Sequence, residues 1–300
     1  MPNILRMSTY SADFPLAVTR IPRHGATSLH THDFSELVVI LGGRGVHYSD
    51  DEAYEIAAGD AFLVSRAHGY KDTENLDLVN VLFHPDRLAL PLAEARKLPG
   101  YHAFFALEPR YRKRHGFRSC LRLDLEELAA VSALIAAMET ELERRRAGFE
   151  FMATAQLMQL IGMLSRAYER MQARESRPLI RLGHVLSYIE SHYAEPIRME
   201  DLIRIAGTSP SGLLRAFRGL TGRPPKEYIV RLRLARACAL LRAGEANVTE
   251  AAYRSGFCDS NYFSRQFHSV MGCAPREYVA RTRAGKAASG RGGSRGAAGA

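Results

Sequence analysis

An internal duplication constrains this chain more than any other feature. The segment Gly222-Arg-Pro-Pro225-Lys-Glu-Tyr228-Ile229 returns fifty residues later as Gly272-Cys-Ala-Pro275-Arg-Glu-Tyr278-Val279. Phe217 maps onto Phe267 at the same offset, and Gly207 onto Gly256 at forty-nine. The one-residue difference falls in a turn, where an insertion costs little. One structural unit has been used twice.

Each copy reads as helix, tight turn, helix. In the first, residues Met199–Ala206 are predicted helical and Gly207 suits a left-handed C-terminal cap. Ser209 then caps a new helix with Pro210 at its first position, where proline is best tolerated. Arg198, at the N-cap of the leading helix, caps poorly. Leu213, Phe217 and Leu220 recur at helical spacing and should be buried, which leaves Ser211, Leu214, Arg215 and Arg218 outward. The second copy opens with the capping box Asn247-Val-Thr-Glu250 and turns at Gly256-Phe257-Cys258-Asp259. Its stripe is Phe263, Phe267 and Val270; Ser260, Asn261, Ser264, Arg265 and His268 face away. A helix from Tyr228 to about Ala243, carrying Arg231, Arg233 and Arg236, joins the copies.

Charge points the same way. The net charge of +9 is unevenly spread. Residues 1–177 hold 22 Lys and Arg against 23 Asp and Glu, whereas 178–283 hold 16 against 9 and 284–300 hold three and none. A basic surface attracts polyanions by releasing their condensed counterions, so double-stranded DNA is the leading partner class. Outward arginine and asparagine suit guanine and adenine edges, and Leu214 suits a thymine methyl. A rigid spacer helix would place the two outward helices in successive major grooves, about 34 Å apart. A helical repeat that binds protein is the alternative, and it explains neither the charge partition nor the polar outward faces.

The front of the chain follows a different period. From Pro15 to about Phe83, short β-type runs (Glu36–Leu41, Gly45–Tyr48, Ala61–Val64, Leu76–Phe83) are broken by Gly42-Gly43, Ser49-Asp50-Asp51 and Ala58-Gly59-Asp60. Short strands at near-regular spacing indicate an antiparallel barrel or sandwich. Within it, His30 and His32 share one face by the two-residue period of a strand, and Glu36 keeps that parity if the strand continues. Two imidazoles and a carboxylate on an inner face suit a divalent metal or the hydroxyls of a sugar. His24, His47 and His84 read as surface or rim histidines without a role.

The middle is helical. Leu128, Val131, Ile135, Met138 and Leu142 form one apolar stripe, and a second helix from about Phe149 to Glu169 carries Met152, Leu157, Leu160, Ile161 and Leu164. Both stripes cover the barrel in the simplest reading; the first also offers a dimer seam. Arg110-Tyr-Arg-Lys-Arg-His115 reads as a solvated linker.

Two resemblances join these readings. Gly25, His30-Thr31-His32, Glu36 and Gly42 follow the first motif of the cupin family. Gly59-Asp60 through Ser65-Arg66-Ala67-His68 resembles the second, with a Gly-to-His spacing shorter than usual. The C-terminal segment is similar to the DNA-binding domain of the AraC/XylS family of transcription regulators. Its carrying residues are Arg233-Leu-x-x-Ala237-x-x-Leu240-Leu241, then Val248-Thr-Glu-Ala-Ala-Tyr-Arg-Ser-Gly-Phe257-x-Asp-x-Asn-Tyr-Phe263-Ser-Arg265-x-Phe267, then Gly272-x-x-Pro275-x-x-Tyr278. Within that family, His30–Glu36 and Asn75–Phe83 look most like the L-rhamnose regulators.

The resemblance implies an effector-responsive, cytoplasmic transcription activator that works as a homodimer with RNA polymerase. It assigns effector contact to His30, His32, Glu36 and His68, and needs no cofactor. The rival reading is a metal cupin enzyme fused to a DNA-binding module, with His30, His32 and Glu36 as ligands. It lacks a convincing fourth ligand, nucleophile or general acid.

The expected architecture is α+β and multidomain. A cupin-like barrel spans 1–115, a helical linker or dimerisation segment 116–177, an all-α double helix-turn-helix domain 178–283, and a disordered tail 284–300. No apolar run reaches membrane-spanning length, and residues 1–8 carry no export-signal pattern. Cys120, Cys238, Cys258 and Cys273 form no C-x-x-C pair, so neither a disulfide framework nor a structural zinc site is expected.

Overall fold

Two long, bent strands organise the N-terminal part of the computed structural model, which describes residues 3–49, 53–64, 67–88, 90–109, 121–171 and 176–290. The strands are β1 (Asn3–Leu5), β2 (Leu16–Ile21), β3 (Thr27–His32), β4 (Ser35–Tyr48), β5 (Ala53–Ala57), β6 (Asp60–Val64), β7 (His68–Phe83) and β8 (Leu121–Arg122). β4 and β7 pair antiparallel along their whole lengths, from Ser35↔Phe83 to Tyr48↔Gly69. Their outer edges are each shared by two partners. Along β7, β2 takes Leu78–Phe83 and β3 takes the end near His68 and Tyr70; along β4, β6 takes Glu36–Val39 and β5 takes Arg44–Tyr48. The sheet thus has two leaves joined at the bend.

Register shifts between Ile40 and Val46 mark that bend. Gly42-Gly43, expected to end a strand, instead lies inside β4 as a bulge. Gly43 has φ +72°, and a Cβ there would stand 2.0 Å from the Asn75 carbonyl oxygen, so only glycine allows the two strands to fold over together. The run expected from Leu76 likewise extends back to His68. Ser49 is the last described residue before Asp50 and Asp51, which lie outside the described residues, as do Ser65, Arg66, Arg110–His115 and Cys120.

The leaves face each other. Val38, Ile40, Phe62, Val64 and Leu78 of one join Tyr54, Ile56 and Tyr70 of the other in one buried cluster. Leu37, Val39, Val79 and Val81, of opposite parity, are also fully buried. A sheet covered on both faces explains why these strands read as continuous apolar runs.

Helices α1 (Leu125–Arg144) and α2 (Phe149–Arg170) pack on this sheet, touching β2 and β8 respectively. A capping box between Asp124 and Glu127 starts α1, which buries Val131, Ile135 and Met138, with Leu128 and Leu142 half-buried at the stripe's ends. In α2 the buried face is Ala153, Leu157, Leu160, Ile161 and Leu164. Met152, expected on that stripe, is 45% exposed, because it lies one residue (about 100° of rotation) from the Ala153–Leu157–Leu160 line.

Residues 188–300 form a second unit, and the division falls within helix α3 (Arg177–His192). It contains α4 (Met199–Ala206), α5 (Pro210–Thr221), α6 (Pro225–Ala243), α7 (Val248–Arg254), α8 (Ser260–Met271) and α9 (Pro275–Gly290). The local signals act as read. Arg198 makes no side-chain cap, Ser209 accepts from the Gly212 amide, and the Asn247–Glu250 box is reciprocal. α6 begins at Pro225, a turn before Tyr228. It packs against α5, α7, α8 and α9. Leu234, Ala237, Cys238 and Leu241 of α6 meet Phe257, Phe263 and Phe267 in the second copy's core. The tail expected to be disordered from residue 284 begins as helix, since α9 runs to Gly290; residues 291–300 lie outside the described residues.

Candidate nucleic-acid interface and effector cavity

Burial of one helix face decides what the opposite face presents. In α5, Leu213, Phe217 and Leu220 are buried, while Ser211, Leu214, Arg215 and Arg218 are exposed. In α8, Phe263 and Phe267 are buried with Val270 half-buried, and Ser260, Asn261, Ser264, Arg265 and His268 are exposed. Asp259 holds the start of α8 by accepting from the amides of Asn261 (2.7 Å) and Tyr262 (3.1 Å).

The arginines of this unit divide by partner. Arg204 pairs with Asp201, both Arg223 and Arg231 with Glu227, and Arg236 with buried Glu190 at 2.9 Å. Arg233 donates to the carbonyls of Tyr193 (2.7 Å) and Glu195 (2.8 Å), which makes it a brace for the chain after α3. Arg254 donates to the Glu245 carbonyl. Arg215, Arg218 and Arg265 have no carboxylate or carbonyl partner among the described residues. Their donors are available to an outside acceptor, and the guanidinium fork matches guanine edges and phosphates.

In the N-terminal unit, a cavity of about 300 Å³ is lined by Thr19, His24, His30, Glu36, His68, Tyr70 and Asn80, among others. Register explains part of this lining: Thr19, Asn80 and Val38 lie side by side across β2, β7 and β4. Asn80 is 8% exposed, and its Oδ1 accepts no hydrogen bond from any of the described residues. His24 and His30 both have pKa values lowered, first by burial, which keeps their rings neutral near pH 7.

One wall is a tight polar cluster. Glu36 Oε2 lies 3.2 Å from His32 Nε2 and 3.1 Å from His68 Nε2. Burial alone would raise the Glu36 pKa, but hydrogen bonds from His32 and His68 and their charge outweigh it and hold the carboxyl at about 2. His32 Nδ1 is 2.5 Å from the Phe34 carbonyl, and His68 Nδ1 is 3.1 Å from His47 Nε2. His32, Glu36 and His68 each offer a donor atom within 4.8 Å of the others. His30 is not of that group. Its ring lies 4.3 Å from the His68 ring and its Nδ1 bonds the Ser28 carbonyl.

A helix-turn-helix domain family matches residues 202–281, and an AraC-like ligand-binding domain family matches residues 16–161. The transcriptional activator RhaS of Escherichia fergusonii is 35% identical over 260 residues, covering 84% of this chain and 87% of that protein. The chain belongs to the AraC family of transcription regulators. The activator RhaR of Mannheimia succiniciproducens is 27% identical over 279 residues, covering 91% of this chain and 96% of that protein. The DNA-binding domain of AdpA, solved with a target DNA, is 31% identical, covers 35% of this chain and 94% of that one, and has a TM-score of 0.34.

The structure brings His30, His32, Glu36 and His68 of this regulator to one place despite the short spacing before His68, because β7 starts at His68, directly opposite His30. His47, read as a surface or rim residue, is 5% exposed and bonds His68. Its placement follows from the cross-strand pair His47↔Tyr70, which no local pattern discloses. Asn80 and Thr19 were missed as lining residues. A lone polar residue inside the apolar run Leu76–Phe83 is the signal that finds Asn80. Tyr262, 40% exposed on α8 beside Asn261, was also passed over.

Proposed function

We propose that this AraC-family regulator is an effector-responsive activator that reads one promoter site with both helix-turn-helix copies. Arg215 and Arg218 of α5 and Asn261, Arg265 and His268 of α8 make the base and phosphate contacts, with Ser211, Leu214, Ser260 and Ser264 completing the two surfaces. The observation that carries this reading is the partner pattern: the outward arginines of α5 and α8 have no carboxylate or carbonyl partner among the described residues, while Arg204, Arg223, Arg231, Arg233, Arg236 and Arg254 are engaged.

The effector is a small polyhydroxylated molecule, a sugar. The cavity volume of about 300 Å³ suits a monosaccharide. Neutral imidazoles, the Thr19 hydroxyl and the buried Asn80 Oδ1 supply donors and acceptors for hydroxyl groups. The resemblance of His30–Glu36 and Asn75–Phe83 to the L-rhamnose regulators supports the same class. The effector shifts transcription only by binding the DNA-competent state more tightly than the other.

The regulator acts in the cytoplasm as a homodimer, with RNA polymerase as its partner in activation, and catalyses no reaction. Leu125 (88% exposed), Phe151 (75%) and Met152 (45%) give α1 and α2 apolar outer positions that suit a second copy. The working domain limits remain 1–115, 116–177 and 178–283. No helix among the described residues is long and apolar enough to cross a membrane.

Footprinting of the full chain on promoter fragments, with a panel of monosaccharides, tests the reading. A protected stretch covering two neighbouring major grooves and strengthened by one sugar is expected. Uniform, salt-sensitive protection unaffected by any sugar overturns it.

A further inference from the structure

One polar side chain in the cavity wall is out of keeping with the sheet around it. Asn80 stands in β7 between Thr19 of β2 and Val38 of β4, with Leu78 and Leu82 two residues away on the same face. Leu78 and Leu82 are 1% and 2% exposed, Val38 is fully buried, and Asn80 itself is 8% exposed. Its Oδ1 is buried and accepts no hydrogen bond from any of the described residues. A buried amide oxygen without a donor destabilises the fold, whereas an apolar group of the same shape is neutral or better. Leucine, the branched apolar counterpart of asparagine, would simply continue the pattern of Leu78 and Leu82.

Other polar groups of the wall are already committed. Glu36 faces His32 and His68 at 3.2 and 3.1 Å, and the Nδ1 atoms of His24 and His30 meet the carbonyls of Gly25 and Ser28. Thr27 Oγ1 accepts from the Tyr70 amide at 3.1 Å. Asn80 lines the same cavity with its acceptor unmet. Strands β2 and β4 occupy both its flanks, so a donor for Oδ1 has to come from the cavity.

We propose that Asn80 is a specificity-determining residue of the effector cavity, its Oδ1 accepting a hydrogen bond from one particular hydroxyl of the bound sugar. The proposal rests on the sugar reading above and goes beyond it by assigning selection to one atom. Oδ1 only accepts, so the group it reads must donate. A hydroxyl qualifies; an ether oxygen, a methylene or a fluorine does not. A sugar lacking that hydroxyl leaves a desolvated acceptor unpaired, and a site built around such a bond rejects the analogue far more strongly than an apolar pocket rejects an added hydroxyl. Asn80 sits on a strand paired on both sides, so the sheet fixes where the acceptor stands, and an epimer that moves the hydroxyl away also loses the bond.

The test uses the full-length protein. Isothermal calorimetry screens D-glucose, D-galactose, D-mannose and L-rhamnose, and a sugar that binds is compared with its single-deoxy and single-deoxyfluoro analogues. At one ring position both analogues should bind roughly 5–150-fold more weakly than the parent, because fluorine keeps the bulk and lacks the proton. In Asn80→Leu that discrimination should vanish while the ratios at the other hydroxyls persist, a pattern that general loosening of the fold does not produce. In sugar-free buffer the urea midpoint of Asn80→Leu should equal or exceed that of the wild type, since the cavity of about 300 Å³ leaves room for the leucine. Should Asn80→Leu fail to fold or to bind, the deoxy ratios are read in Asn80→Ala. Three results overturn the proposal and leave the sugar reading standing: a wild type that tolerates every deoxy analogue, a deoxy ratio unchanged by the substitution, or a lower midpoint for folded Asn80→Leu. A wild type that binds none of the four sugars overturns this proposal together with the sugar reading on which it rests.

Discussion

The two copies of the helix-turn-helix place a turn glycine at equivalent positions, yet their surroundings differ, which makes unequal costs the sharpest test of the structure. Gly207 has φ +57°, and a Cβ there would meet no atom of the described residues within 4 Å. Gly207→Ala therefore bears only the left-handed backbone penalty, about 1–2 kcal/mol. Gly256 has φ +92°, further from the left-handed helical basin, and its Cβ would stand 2.7 Å from the Tyr193 carbonyl oxygen and 2.8 Å from the Ala194 Cα. Both are backbone atoms, so no rotamer change relieves the overlap. Adding an overpacking cost of roughly 1–3 kcal/mol brings Gly256→Ala to about 2–5 kcal/mol. Urea unfolding of the full chain, followed by far-ultraviolet circular dichroism, reads the difference. With a slope of about 2 kcal/mol per molar, the two midpoints should separate by about 0.5–1.5 M, Gly256→Ala the lower. Coincident midpoints would refute the close approach of the α7–α8 turn to Tyr193-Ala194.

Other consequences are as direct. Arg215→Ala or Arg265→Ala should each cost about 1–3 kcal/mol of specific binding with the fold unchanged; equal operator affinity in gel-shift titrations removes those contacts. Phe267→Ala, at a fully buried position, should destabilise the C-terminal unit by about 3–5 kcal/mol, and hydrogen exchange that stays slow across α6–α8 would contradict it. His102 is buried and its Nε2–H donates to the Arg96 carbonyl at 2.6 Å; burial lowers its pKa from 6.5 to about 4. The ring stays neutral when folded and protonates more readily when unfolded. The stabilisation is thus complete above pH 6.5 and is lost as pH falls toward 4, by roughly 3 kcal/mol in all. His102→Gln should flatten that interval of the stability profile, and an unchanged slope would refute the assignment.

The barrel's histidines show how far reading by parity reaches. The alternation of a strand put His30 and His32 on one inner face, with Glu36 joining them only if the strand continued; it does not, since one strand ends at His32 and the next begins at Ser35, yet all three do cluster about His68. Parity does not measure distance, however: His30 turns to Ser28 and His68 takes the third place beside Glu36. Gly42-Gly43 misled for a related reason. A glycine pair ends strands and also bends them, and the choice depends on whether a second strand bends alongside, as β7 does at Asn75.

What the amino-acid order determined alone was everything whose partners lie within a few residues. The caps at Ser209 and Asn247 and the buried stripes of α5 and α8 rest on bonds and contacts spanning three to seven positions, so their outward faces were legible too. Tertiary structure alone decided the cavity. His47 reaches His68 across 21 residues, and Thr19 is brought beside Asn80 by strand pairing across the sheet. Such neighbours are chosen by how two long strands bend together around a shared core, a balance of packing over the whole unit that no short window of residues contains.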